Sequence, residues 1–414
     1  MPDLRTLPPP ADAHDTRAPD GAPAAARRRF LGRTGAGLAA LAVPAAWGQA
    51  RTPAAPPGPP STVTTPPRDF GPGAPPTTYF WDPDVVAVDP SFNELAQPNA
   101  AIRRLWTGGG WLEGPAWNAV GRFLVWSDIP ADRQLRWLED DGHVSVFRAP
   151  SNNSNGNCFD YQGRQIACEH LTRRVVRYEL DGSVTVLADR WNGKPLNSPN
   201  DAVAHPDGSI WFTDPPYGAQ LYEGVPDPAG GASNRQGRLN TRLGQPAGIG
   251  DARQELPTQV YRWDPSGRLD AVIAGNQVPN PNGLCFSPDF GKLYVTSTGP
   301  AGKGDVHVLD VGADHRLSNQ RVFSDCMVDG VKCGPDGIRA DVFGNLWVAS
   351  NAGRAVGYSG VTVWNPEGRL IGRIRLPEAC GNLTFGGPKR NRLFMIASQS
   401  VYAVYTATQG AAPS

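Results

Sequence analysis

Residues 200–214 read Asn-Asp-Ala-Val-Ala-His-Pro-Asp-Gly-Ser-Ile-Trp-Phe-Thr-Asp. The stretch is a short apolar run, a Pro-Asp-Gly-Ser turn, and a second run rich in aromatic and β-branched residues. Asp-Gly between two such runs predicts a β-hairpin, here with a type I′ turn, because glycine supplies positive φ cheaply. The phrase recurs from Glu113 (EGPAWNAVGRFLVWSD), Asn155 (NGNCFDYQGRQIACE), Asn282 (NGLCFSPDFGKLYVTS) and Asp336 (DGIRADVFGNLWVAS), and more loosely from Gly381 (GNLTFGGPKRNRLFMIAS). A second hairpin follows each phrase, as in RRVVRYELDGSVTVLAD after Asn155 and VTVWNPEGRLIGRIRL after Asp336. Four short strands at a spacing of about 40–50 residues, or twice that where an insertion intervenes, is the period of propeller blades.

The sixth unit holds only three strands, and Ile102–Thr107, ahead of the first phrase, supplies the fourth. Closing the ring with a strand from the other end of the chain removes an exposed sheet edge. The predicted fold is all-β: a six-bladed β-propeller over residues 79–408, four antiparallel strands per blade. The stretch between Tyr217 and Gln259 lacks strand alternation and reads as a long insertion leaving the strand next to Asn200. A loop of that length is functional or disordered.

Outside the propeller the composition changes. Arg27-Arg28-Arg29-Phe30-Leu31 resembles a twin-arginine export motif, followed by an apolar run over 35–46 and small residues at Gly48 and Ala50. Residues 1–50 therefore read as a signal peptide, and the mature protein is expected to be periplasmic or secreted. Residues 51–78, rich in Pro, Ala, Thr and Gly, read as a linker.

Composition excludes other classes. Lys plus Arg (39) equals Asp plus Glu (39) in 414 residues, so there is no nucleic-acid footprint and no polybasic membrane patch. Beyond the leader no apolar run is long enough to span a bilayer. No GxSxG, HExxH or GxxxxGK[ST] occurs, which removes serine hydrolase, zincin and P-loop chemistry. The six cysteines show no zinc spacing. Cys326 and Cys333 are close enough in sequence to clip one loop, and buried free thiols are an equally good reading.

The first residue of each phrase forms a column: Glu113, Asn155, Asn200, Asn282, Asp336 and Gly381. Inner strands of a propeller run along a central channel, so the column should converge at one mouth. Two carboxylates and three amides, without His or Cys, suit a hard divalent cation, Ca2+ first, with Zn2+, Mg2+ and Mn2+ as alternatives. Turn and cap roles compete with this, since Asp-Gly pairs are everyday turn formers. Position tips the balance toward a shared site and leaves the turn reading open: Glu113, Asn155, Asn200 and Asp336 each stand eight residues before a turn glycine, and Glu113 is no turn former.

EGPAW, SPND with PDGSIWFTDPPYG, PNGLCFSPD, GPDGIRAD with GNLWVAS, and NLTFGG resemble the gluconolactonase/regucalcin family of six-bladed propellers, over about 106–405. That resemblance implies one catalytic divalent cation on the axis, held by Glu113, Asn282, Asp336 and Asn200, the last alternatively holding substrate or a metal-bound water. It implies hydrolysis of a small sugar lactone by a monomer or homodimer, with Asp336 as general base and Asn155, Asn200 and His170 binding substrate. Where animal members carry arginine, this chain has Ser198, and its insertion around Pro226–Gly250 is longer than the family's. A calcium-dependent arylesterase or phosphotriesterase and a non-enzymatic metal-binding propeller are the alternatives.

Overall fold

The computed structural model describes residues 81–217, 254–298 and 304–412. The export motif at Arg27–Leu31, the linker at 51–78 and the insertion over 218–253 lie outside the described residues. Within them six antiparallel sheets of four or five strands are arranged as the expected propeller, with two further two-stranded ribbons. The inner strands, in blade order, are Leu112–Asn118, Ser154–Phe159, Ala202–Ala204, Pro281–Phe286, Gly334–Ala340 and Cys380–Gly386. The last blade is completed by Arg103–Thr107, which pairs with Ser400–Tyr405. The Ser400 hydroxyl donates to Thr107 Oγ1 across that seam at 3.0 Å. In the third blade, Ile210–Asp214 pairs in register with Gln259–Trp263 on the far side of the insertion. Among the described residues no helix is long and apolar enough to cross a membrane.

Large rings fill the space between blades. Trp117 of the first stacks on Phe394 of the last at 5.6 Å, and Trp211 of the third meets Phe286 of the fourth edge-on at 5.3 Å. Trp117, Trp126, Trp211 and Trp347 are fully buried. Burying such rings between sheets is the main favourable term holding blade to blade.

Two features depart from the sequence reading. The fifth blade has a fifth strand, Val85–Ala87, paired outside Leu370–Arg375. Asp207-Gly208 does not form a type I′ turn. Only Gly208 has positive φ (87°), Gly208 N–H donates to His205 O, and His205 N–H to Ser209 O. This is a type I turn closed by a glycine bulge, as expected for a three-residue loop. A type I′ turn does occur at Asp329-Gly330, where both φ are positive (50° and 80°). All six cysteines are buried free thiols, Cys326 and Cys333 included, the second of the two readings offered for them.

Candidate active site on the propeller axis

Five of the six column residues lie at the second or third position of an inner strand, and Asn200 stands two residues before the short strand of the third blade. Strand pairing slips there in five blades: between Glu113 and Ala116, Ser154 and Asn157, Pro281 and Leu284, Pro335 and Ile338, Cys380 and Asn382. A bulge re-aims side chains, and here it recurs around the axis.

Glycine permits the inner strands to close up behind the column. A Cβ on Gly156 would lie 2.4 Å from Asn200 O, and one on Gly337 2.0 Å from Asn382 Oδ1. Hydroxyls of second strands then fix the column backbone in the next blade. Ser127 donates to Asn155 O (2.8 Å), Thr213 to Asn282 O (2.7 Å) and Thr296 to Asp336 O (2.7 Å).

The side chains meet. Asn282 hydrogen-bonds the Asp336 carboxylate, and Asn382 hydrogen-bonds Glu113. Glu113 and Asp336 lie within electrostatic reach of one another and of Asp201; Glu113 and Asp201 are buried, and Asp336 is partly buried at the mouth. Burial first, and then the neighbouring carboxylates, push Asp336 well above the usual carboxylate range. Burial, with Asp201 nearby, raises Glu113 to about 7, against the lowering effect of the Gly114 N–H. A Cβ on Gly381, the sixth column residue, would stand 2.5 Å from Glu113 Oε1, so that blade leaves its place to the glutamate.

Sequence reasoning missed Asp201, Asn382 and Arg339. Arg339 Nη1 stands 3.4 Å from Asp201 Oδ2, and Asn382 Nδ2 stands 3.5 Å from the same oxygen. Asp201 is therefore compensated, whereas Glu113 and Asp336 face each other with two negative charges to balance. The position after the column carried the signal. It is glycine in four blades (Gly114, Gly156, Gly283, Gly337) and a polar side chain only at Asp201 and Asn382.

The remaining candidates lie around this centre. Asn155 is buried, and its Oδ1 has no hydrogen-bond partner among the described residues. Asn200 is buried, with its N–H donating to Thr213 O and its carbonyl accepting from Gly156 N–H (2.7 Å). The loop before it is gripped by Asp214, whose two oxygens accept the Asn197 and Ser198 N–H groups, each at 2.8 Å. His170 is not drawn into the carboxylate cluster. It sits at the top of the second blade, its N–H donating to Asn153 O. Both its ring nitrogens are buried without a partner among the described residues, and burial alone lowers its pKa to about 3. Tyr217, the last described residue before the insertion, is buried with its hydroxyl against Thr298 Oγ1 and within electrostatic reach of Asp336.

A six-bladed ring with side-chain oxygens gathered from five blades at one end of its axis defines a class: propellers with an axial site. The chain belongs to the SMP-30/Gluconolactonase/LRE-like family, whose family model matches residues 111–399. It is 30% identical to a gluconolactonase of Zymomonas mobilis over 345 residues, covering 79% of this chain and 87% of that one. It is 24% identical to a pentonolactonase of Haloferax volcanii, covering 68% and 80%. A solved gluconolactonase from Xanthomonas campestris superposes with a TM-score of 0.64 at 32% identity, covering 78% of this chain and 94% of the other.

Proposed function

We propose that this protein is an exported hydrolase that opens a sugar lactone, D-glucono-1,5-lactone to D-gluconate, at the axial site and with one divalent cation. The observation that carries the reading is the pair Glu113 and Asp336. Carboxylates gathered on the axis without a compensating cation raise proton affinity, Glu113 acting on Asp336 and Asp201 on both. Arg339 serves Asp201 instead. Three carboxylates and one guanidinium leave a net charge that one divalent ion neutralises. Glu113, Asn282 and Asp336 would hold it, with Asn200 on the third blade, and their oxygen-only chemistry favours Ca2+ over softer ions. Zn2+, Mg2+ and Mn2+ compete for the same oxygens. When bound, such an ion polarises the lactone carbonyl and stabilises the oxyanion.

The chain's own residues do the rest. Asp336 accepts the proton of the attacking water. The water oxygen bonds to the carbonyl carbon, the ring C–O bond breaks, and the ring oxygen leaves as a hydroxyl after taking a proton. The unpartnered Asn155 Oδ1 accepts a sugar hydroxyl, and Asn200 lines the same mouth. His170, neutral because it is buried, offers one donor and one acceptor to substrate rather than a charge. Rates on gluconolactone, phenyl acetate and an organophosphate, after chelation and again after metal is restored, test the reading. Metal-dependent turnover of the lactone well above the other two is expected. Preferential turnover of either ester would move the protein to the arylesterase or phosphotriesterase class, and no turnover of any would make the ion structural.

A further inference from the structure

On the face opposite the axial mouth, the inner hairpin of the third blade and the outer hairpin of the fourth bring two histidines onto one aspartate. His205 Nδ1 lies 2.7 Å from Asp207 Oδ1, and His315 Nε2 lies 3.0 Å from Asp207 Oδ2. The ligand atoms of all three residues lie within 4.8 Å of one another. We propose that His205, Asp207 and His315 form a second metal site, for a borderline ion such as Zn2+, that staples the third blade to the fourth.

The contacts carry the argument. A bare imidazole nitrogen and a carboxylate oxygen repel at 2.7 Å, so something positive must lie between them, either a proton or a metal ion. The same holds for His315 and the other oxygen. His205 Nδ1 also faces the Asp207 N–H at 3.3 Å, which favours an unprotonated Nδ1. One cation then replaces two protons. Around a zinc ion with bonds of ~2.0–2.1 Å, tetrahedral ligands sit roughly 3.3 Å apart, so each histidine–aspartate contact opens by a few tenths of an ångström, while the two imidazole nitrogens, within 4.8 Å of one another, draw in toward the ion.

The three side chains are already aimed. His205 packs edge-on against Phe286 (5.2 Å), Phe290 (5.0 Å) and the His315 ring (5.1 Å). The Asp207 carboxylate is oriented by the Ser209 N–H (2.8 Å) and by Arg262 Nη2 (2.9 Å). Arg262 does not make the site cationic, because its Nη1 is paired with Asp264 Oδ2 at 3.4 Å. Two imidazoles and one carboxylate select Zn2+, Co2+ or Ni2+ over Ca2+, the reverse of the axial preference. His315 is half-exposed, which leaves a water or a further ligand room to complete the coordination.

The test uses the chelator-stripped chain carrying Asp336→Ala, so that the axial site does not contribute and its failure is read separately. Titration with Co2+ should give visible ligand-field absorption, saturating at one ion per chain and displaced by Zn2+. Adding His315→Gln, on an exposed-side turn, should weaken Co2+ binding by about a hundredfold, and His205→Gln should do the same. Zn2+ should raise the unfolding temperature of the Asp336→Ala chain but not that of the same chain carrying His315→Gln, and with Asp336 intact His315→Gln should leave lactone hydrolysis normal. Absence of Co2+ binding, or binding untouched by both histidine changes, would overturn the site and leave two protons holding the cluster.

Discussion

Arg339 Nη1 stands 3.4 Å from Asp201 Oδ2, both groups almost wholly buried on the axis and 138 residues apart in the chain. That pairing decides which carboxylates are left to a cation. Removing one member of a buried pair strands the other charge, at a cost of about 3–5 kcal/mol. Arg339→Met should therefore lower stability strongly when metal is absent. Ca2+ should recover a larger share of it than in the unaltered protein, because Asp201 becomes a third uncompensated carboxylate. Chemical unfolding with and without Ca2+ measures both.

Asp214 holds the loop that presents Asn200. With alanine there, the buried Asn197 and Ser198 N–H groups lose their acceptor, at about 1–3 kcal/mol each. Asp214→Ala should lower the unfolding temperature and raise KM for the lactone more than it lowers kcat. Asp214→Asn, which keeps one acceptor, should fall between. A loss confined to kcat would show that the loop does not position substrate.

His170 gives the pH dependence of stability a definite sign. In the fold its pKa is near 3, below its ordinary 6.5. The unfolded chain therefore takes up a proton that the folded one refuses. Stability is lost as pH falls from about 6.5 toward 3, with a slope of about 1.4 kcal/mol per unit. His170→Asn removes this contribution. Urea midpoints at pH 7 and pH 5 should show the unaltered protein losing more than the variant. Equal losses would mean that His170 takes up its proton in the folded state too.

Much of this was legible because the chain repeats itself. Glu113, Asn155, Asn200, Asn282 and Asp336 stood out as one position of one phrase, and the closing strand followed from a blade one strand short. Asp201 and Asn382 were hidden by the same repetition. They stand where most blades carry a glycine chosen for close approach, and only the convergence of inner strands shows that a side chain at that position must point to the axis. Arg339 lies within an apolar strand, and its role depends on a partner two blades away. Val85–Ala87 was too short to alternate, and only its pairing with Leu370–Arg375 identifies it as a strand. The His205–Asp207–His315 cluster needs two hairpins brought side by side, which no local pattern records.

Glu113 and Asp336 set the most direct test. With no ion bound, both pKa values are raised, Glu113 from 4.5 to about 7. The folded chain then holds protons that the unfolded chain releases, so these groups cost stability as pH rises from about 4.5 through 7. A divalent cation at the axis should reverse that trend. Calorimetric titration of chelated protein with Ca2+ at pH 7.5, alongside lactone hydrolysis at each addition, measures the central claim. The account predicts one axial Ca2+ per chain, activity rising in step with occupancy, and loss of both in a folded Asp336→Ala variant. Full lactone hydrolysis by Asp336→Ala, or by chelated protein that binds no Ca2+, would contradict it.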